Sequence, residues 1–398
     1  MPQEESLRQA KPLNGSILLG LLIAFFASAG RAQASEVRCD NASLAAEPIN
    51  VIPVCSRLLA ADGIDAKTRA GLLYILGRGY HRTNRIAEAI ENYDAALALD
   101  SSSADIFVSR AWAAMELKDG DGMVHFAQEA IKADPTSARA WDMMGAIRAE
   151  LGNPVAALEA YDHALRVDPK YSLALLHRGE ILIRMGRPDR AVEDYETILA
   201  MPPAEVETGN LIGQNGKPAS FRAAAFEGRA NARWNSASLD AVETDLRAAI
   251  ATEATPFRHR QLAQHFRRQP GRMDEAVGAI RAAYDMAPYL IQLQHELGEY
   301  LLYAGKEEEG LAELERVIKK APGYMNVHST TVIYFQRKNR IDEAVNALVA
   351  GYNANPRSYL WLLNRLVKGG YWDGKNIPEK ITPKLKAAFR KCLAAKCA

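Results

Sequence analysis

The sequence predicts an all-α solenoid of about eight helical hairpins closed by helical caps, and three observations carry that reading. Prolines recur at one fixed interval, small residues flank a large one at the same period, and Gly or Asn falls at one fixed place in each period. A period of this length marks stacked supersecondary units, each burying its apolar face only against its neighbours.

The prolines stand at Pro135, Pro169 and Pro203, then at Pro288, Pro322 and Pro356, thirty-four positions apart within each group, with Ser101 and Ala254 occupying the same register. Between Pro203 and Ala254 the step is longer, one period plus half of another. Twelve positions before each marker lie Ala89, Met123, Ala157, Ala191, Val242, Ala276, Gly310 and Ala344. Five before are Ala96, Ala130, Ala164, Ile198, Ala249, Ala283, Val317 and Gly351, and between the two series sit mostly large groups such as Tyr93, Tyr161, Tyr195 and Leu314. Spacings of four and three place the three positions on one helical face, where small residues allow close approach and a large one fills the gap. Half a period before each marker stand Asn84, Lys118, Gly152, Gly186, Ala237, Gly271, Gly305 and Asn339. Six of these eight are residues that enter the left-handed conformation ending a helix, so the first helix of each hairpin is expected to stop there. The prolines are expected to open the next hairpin, where a missing N–H costs least.

These features resemble the tetratricopeptide repeat family. The third unit, Ala138 to Tyr171, carries Trp141, Met144-Gly145, Ala157, Tyr161, Ala164 and Pro169 at the family's spacing; the first carries Leu73, Leu76-Gly77, Tyr80, Ala89, Tyr93 and Ala96. Resemblance runs from about Ala70 to Pro356, with departures at Met123 and Ala127 and at Arg229 and Arg233, and with a one-residue shift pairing Leu262-Ala263 with Phe266. It implies a right-handed superhelix whose inner wall is lined by the first helix of each hairpin and takes extended peptides or partner helices.

Outside the repeats the chain reads as follows. Ile17 to Ala29 is an uncharged apolar run, short for a membrane span, followed by Ala32-Gln33-Ala34, which points to an export signal at 1–34 cut after Ala34. An N-terminal cap is expected at 35–69, repeats at 70–203 and 223–356, an inserted Gly- and Asn-rich loop at 204–222, and a C-terminal cap at 357–398. The insertion is either a recognition loop or a tolerated one, and it can divide the array into two arms of four units. Ile49 to Ala61, with Pro53 near the first turn, and Tyr359 to Val367 with Thr382 to Leu393 are the expected cap helices. The four cysteines lie only in the caps, and an even count in an exported chain suggests the pairs Cys39–Cys55 and Cys392–Cys397. The first closes a loop worth about 3 kcal/mol.

Charge and motifs narrow the function. With 49 Lys and Arg against 48 Asp and Glu, net charge is +1. Removing segment 1–34 takes Arg8, Lys11, Arg31, Glu4 and Glu5 and leaves balance, so nothing argues for nucleic acid or an anionic membrane as partner, although a local basic patch is compatible. His295-Glu296 starts like a zincin helix, but Glu299 stands at the second histidine position, and Gly213 to Lys217 lacks phosphate-loop spacing and is followed by Pro218. The chain is therefore expected to be non-catalytic, without cofactor or metal.

Family spacing places Arg78, His81 and Arg82 on the inner wall of unit one and Trp112 in unit two. It places His177, Glu180 and Arg184 in unit four, Glu227 and Trp234 in unit five, Arg260, Arg267 and Arg268 in unit six, and His295, Glu299 and Tyr303 in unit seven. Aromatic and arginine side chains are common contact anchors. The Asn and Lys clamp with which some relatives hold a chaperone C-terminus is missing, since its Asn position reads Ile75, Ser109, Met143, His177 and Gly228. The expected role is a periplasmic or secreted scaffold holding a protein or peptide in its groove, with no integral membrane span after signal cleavage. Its rivals are a structural subunit of an envelope complex and a polysaccharide-binding export accessory.

Overall fold

The computed structural model describes residues 38–206, 220–234, 239–373 and 380–396, which are helix and turn throughout. The predicted export signal and Cys397 fall outside the described residues, so the expected Cys392–Cys397 pair does too. The chain forms two compact units, residues 1–135 and 136–398.

In the first unit, α1 (Asn41–Ala46) and α2 (Pro48–Leu59) precede two hairpins, α3 (Ala66–Arg82) with α4 (Ile86–Leu99) and α5 (Ala104–Glu116) with α6 (Gly120–Ala133). In the second, six hairpins follow: α7 (Ala138–Glu150) with α8 (Pro154–Val167), and α9 (Ser172–Arg184) with α10 (Pro188–Ala200). After a short α11 (Pro203–Val206) come α12 (Phe221–Arg233) with α13 (Leu239–Thr252), and α14 (Pro256–Arg267) with α15 (Met273–Met286). The last two are α16 (Ile291–Tyr303) with α17 (Glu307–Lys320) and α18 (Met325–Arg337) with α19 (Ile341–Ala354). A 3-10 turn at Pro356–Tyr359, α20 (Leu360–Lys368) and α21 (Pro383–Ala394) close the unit.

The turn chemistry explains the period. Asn84, Lys118, Gly152, Gly186, Gly271, Gly305 and Asn339 all have φ between 56° and 80°. They end the first helix of their hairpins, as the spacing predicts; Ala237, the eighth, lies outside the described residues. The prolines correct an expectation. Pro135, Pro169, Pro288 and Pro322 directly follow the C-caps Asp134, Asp168, Ala287 and Ala321, so they stop the second helix of a hairpin instead of opening the next. Of the six, only Pro203 and Pro356 open a helix, and both helices have four residues. Starts come instead from side-chain caps: Ser137 accepts from Ala140 N–H, Ser220 from Ala223 N–H and Thr255 from Arg258 N–H.

The hairpins are tight because glycine faces tyrosine. A Cβ placed on Gly77 would lie 2.7 Å from the Tyr93 ring, and one on Gly179 would lie 2.6 Å from the ring of Tyr195. Gly145 meets Tyr161 and Gly298 meets Leu314 in the same way. Tyr93, Tyr161 and Tyr195 are almost wholly buried. Tyr195 also fills the space over Gly228 of α12, so α12 packs on α10 as the next hairpin in the stack. Stacking thus continues past residues 207–219, and the expected break into two arms there is not observed; the compact units divide after Pro135. In α14, Leu262, Ala263 and Phe266 are buried, as the shifted register requires.

The departures at Arg229 and Arg233 have a partner. Asp245 on α13 is buried, receives Arg229 Nη2 at 2.6 Å and Arg233 Nη1 at 3.1 Å, and Glu196 on α10 takes Arg233 Nη2 at 2.8 Å. Arg178 on α9 likewise joins Asp162 at 2.6 Å to Asp194 at 2.5 Å. A carboxylate buried in this way needs its guanidinium, because an unpaired interior charge costs about 3–5 kcal/mol.

At the N-terminus, Cys39 and Cys55 form the expected disulfide, with Cα atoms 5.0 Å apart. Pro53 is inside α2 and not near its first turn; Pro48 is the proline that opens it. At the other end, Leu362, Leu363, Leu366, Leu385 and Phe389 of α20 and α21 bury against Tyr352 and Leu348 of α19.

The glycine contacts give a paired expectation for chemical denaturation. Gly179→Ala should lower stability by about 1–3 kcal/mol through overpacking against Tyr195. Gly278→Ala, where a Cβ meets nothing within 4 Å on helix α15, should raise it by about 0.5–1 kcal/mol. Equal effects at the two sites would rule out close helix approach as the reason for Gly179.

Candidate partner-binding wall

The first helices of successive hairpins are linked by a recurrent cross-bond between residues about one period apart. In the first unit His81 Nε2 lies 2.9 Å from Glu116 of the next first helix, and its Nδ1 lies 3.3 Å from the Tyr93 hydroxyl. In the second unit His177 Nδ1 lies 2.9 Å from Asp142, Arg258 Nε donates to Glu227 at 3.0 Å, and Arg260 Nε donates to Glu296 at 2.7 Å. His295 Nε2 is 2.8 Å from the Thr330 hydroxyl. Many polar residues expected on an open wall are therefore spent on joining rungs.

This corrects several placements. Arg78 bonds the Asn41 side chain, and Arg82 Nη1 donates to the Leu44 carbonyl at 2.7 Å, so α1 of the N-terminal cap engages both. His295 is buried, with its ring edge-on to Tyr324 at 5.5 Å, and does not face solvent. Glu227 is largely enclosed, and burial lifts its carboxyl above the usual range although Arg258 opposes this. Trp112 is half-buried on α5, whereas Glu180 and Arg184 are exposed along α9. Trp234 caps the end of α12, edge-on to His265 and beneath the Arg268 guanidinium at 5.4 Å.

One stretch of wall remains open. Between α16 and α18 a cavity of about 210 Å³ is lined by Glu299, Leu302, Tyr303, Thr330, Ile333, Tyr334, Arg337 and Lys338. Tyr303 is 43% exposed and Ile333 44%. Arg267 stands 5.2 Å from the Tyr303 ring and pairs with Glu299 at 3.3 Å; Arg337 stands 6.0 Å from the same ring. Arg337 has no acidic partner among the described residues, while the charge of Lys338 helps to lower the Glu307 carboxyl. Of the predicted residues, the structure brings Arg267, Glu299 and Tyr303 together here. Ile333 and Arg337 were missed, although adding one full period to Glu299 and Tyr303 reaches both.

A second cavity, of about 430 Å³, lies among α8, α9 and α10 around Asp162, Arg178 and Asp194. Its guanidinium is already held by the two carboxylates. Among the described residues no three His, Cys, Asp or Glu side chains form a metal-holding group, and no helix is long and apolar enough to cross a membrane.

A family model described as tetratricopeptide repeat matches residues 74–141 and 143–206. The matched hairpins are tetratricopeptide repeats. The hairpins at 221–354 repeat the geometry of the matched ones, with second helices starting at the evenly spaced Leu239, Met273, Glu307 and Ile341. Proteins of this family are in general non-catalytic scaffolds for protein–protein interaction. No curated protein matches the sequence. Among solved structures, MamA is 23% identical over 39% of this chain and 88% of its own, with a TM-score of 0.32. PilW, a type IV pilus biogenesis factor, is 16% identical over 57% and 97%, with a TM-score of 0.49. The pilF protein of Pseudomonas aeruginosa is 14% identical over 59% and 97%, with a TM-score of 0.47.

The tetratricopeptide rungs carry a pH signature. Burial opposes protonation of His177, but the Asp142 carboxylate outweighs it and holds the imidazole above its ordinary 6.5. A raised folded value stabilises fully below the unfolded value and is lost as pH rises through the folded one. The stability difference between wild type and His177→Gln should be greatest below about pH 6 and shrink on titration upward. A difference that grows with pH would contradict the pairing. Burial lowers His295 instead, so its contribution has the opposite sign and is lost as pH falls.

Proposed function

We propose that the chain is an exported scaffold that holds a protein or peptide segment against its first-helix wall, in the periplasm or at the cell envelope. The observation that carries this reading is the cleft between α16 and α18, where Tyr303 and Ile333 stay exposed while the polar groups of neighbouring rungs are consumed by one another. An apolar floor with convergent cations suits a side chain inserted from an extended segment. Leu302, Tyr303 and Ile333 supply the floor; Arg337 and Lys338 supply donors for a carbonyl or carboxylate beside the inserted group. Arg184 and Glu180 extend the wall along α9, and Trp234 with Arg268 forms an intermediate contact point. Arg78, His81 and Arg82 act within the N-terminal cap and first rung. Export is supported by the sequence of residues 1–34 and by the Cys39–Cys55 bridge, which suits an oxidising compartment.

The test is affinity capture with the mature chain from its native envelope, in parallel with a Tyr303→Ala/Ile333→Ser variant of unchanged helical content. A polypeptide held by the wild type should be weakened at least about tenfold in the variant, the loss expected of an anchor side chain. Full retention would move binding away from this cleft, and recovery of polysaccharide with no polypeptide would sink the scaffold reading.

A further inference from the structure

The near-neutral charge of the chain conceals a separation. Residues 357–398 hold ten of the 49 Lys and Arg but only two of the 48 Asp and Glu, a net +8; residues 1–356, with 39 against 46, carry −7. All nine described cations of this cap are exposed. Two are paired, Lys384 with Asp373 and Arg390 with Asp342. Arg365, Lys368, Lys386 and Lys391 have no acidic partner among the described residues.

Helix geometry orders these charges. On α21 the buried stripe is Leu385, Ala388, Phe389, Cys392 and Leu393. The opposite side presents exposed Ala387 and Ala394, two turns apart and so nearly in line, with Lys386 and Arg390 along one edge and Lys384 and Lys391 along the other. This is a low, flat strip between two rows of cations. On α20, Leu362, Leu363 and Leu366 are buried, and the outward side carries Trp361, 51% exposed, with Arg365 and Lys368. Leu360 and Val367 are also exposed, at 41% and 48%. Cations interleaved with an outward tryptophan and aliphatic groups match the boundary between anionic headgroups and acyl chains, where indole rings settle and basic residues gain electrostatic attraction.

We propose that the C-terminal cap docks on an anionic lipid surface, with Arg365, Lys368, Lys386 and Lys391 facing the headgroups and Trp361 entering the interface. An acidic protein is the less fitting partner, since the cap's outer side offers scattered apolar tips, Trp361, Leu360 and Val367, among its cations. The attachment is peripheral. It is independent of what the cleft at Tyr303 holds, and would place that cleft near a membrane without a spanning helix.

The experiment is co-sedimentation of the full chain with vesicles of equal parts phosphatidylglycerol and phosphatidylcholine, against vesicles of phosphatidylcholine alone. The wild type should bind the anionic vesicles at low salt, leave them at roughly 1 M salt, where the screening length is about 3 Å, and ignore the neutral ones. Reversing the four unpaired cations (Arg365→Glu, Lys368→Glu, Lys386→Glu, Lys391→Glu) should weaken binding by about a hundredfold or more, with helical content unchanged. Trp361→Ser alone should weaken it severalfold, while Tyr303→Ala/Ile333→Ser should leave it intact. Absence of wild-type binding, undiminished binding by the fourfold variant, or equal binding to neutral vesicles would each overturn the proposal. So would capture by soluble polyglutamate or heparin with no vesicle binding, which would identify an acidic macromolecule instead.

Discussion

The structure depends on how closely two helices of a hairpin can approach. Where glycine faces tyrosine, at Gly77, Gly145 and Gly179, the ring occupies the volume a Cβ would take. That contact fixes the separation within a hairpin, and Tyr195 shows it also fixes the separation between hairpins, since one ring serves Gly179 and Gly228 together. Protein interiors are packed too densely to absorb a misplaced methyl group by spreading. Small residues are therefore required at the contact, and the period of the sequence follows from the period of the contact. Where Leu314 replaces tyrosine, opposite Gly298, the same role is filled by an aliphatic group.

Close stacking has an electrostatic consequence. First helices brought side by side place polar residues of adjacent rungs within hydrogen-bonding distance, and the chain uses this at His177 with Asp142, Arg258 with Glu227, and Arg260 with Glu296. Each such pair stiffens the wall and removes a donor or acceptor from its surface. Uncovered surface is left where cross-bonding is incomplete. Between α16 and α18 the link is a neutral histidine–hydroxyl contact, and the aromatic and aliphatic groups beyond it remain uncovered.

The repeat, the left-handed turn residues and the tyrosine positions were legible in the sequence because each is a local steric requirement recurring at fixed spacing. The site was less legible. Family spacing gave the correct helices for Arg78, Arg82 and His295 but could not say that α1 would cover the first two or that Tyr324 would cover the third. These outcomes depend on contacts between units, which a position within one unit does not encode. The prolines misled for a related reason. A residue that cannot continue one helix and can start another fits both sides of a junction, and only the helix ends decided between them. The basic cap was hidden by averaging, since its surplus cancels against an acidic body.

The junction between α10 and α12 has a further implication. A long connection separates Ala200 from Phe221, yet the two helices meet as sequential neighbours, and the second helices before and after the junction keep their regular rhythm. Chain length and architecture are uncoupled at this joint. For a flexible connection, doubling its length costs only about 0.6 kcal/mol in closure entropy, so added length of that kind weighs little on the stack. The near end of the joint is committed, since Met201 and Val206 pack into the core with Tyr195 and Phe221, so a reporter or a second recognition module belongs beyond Val206.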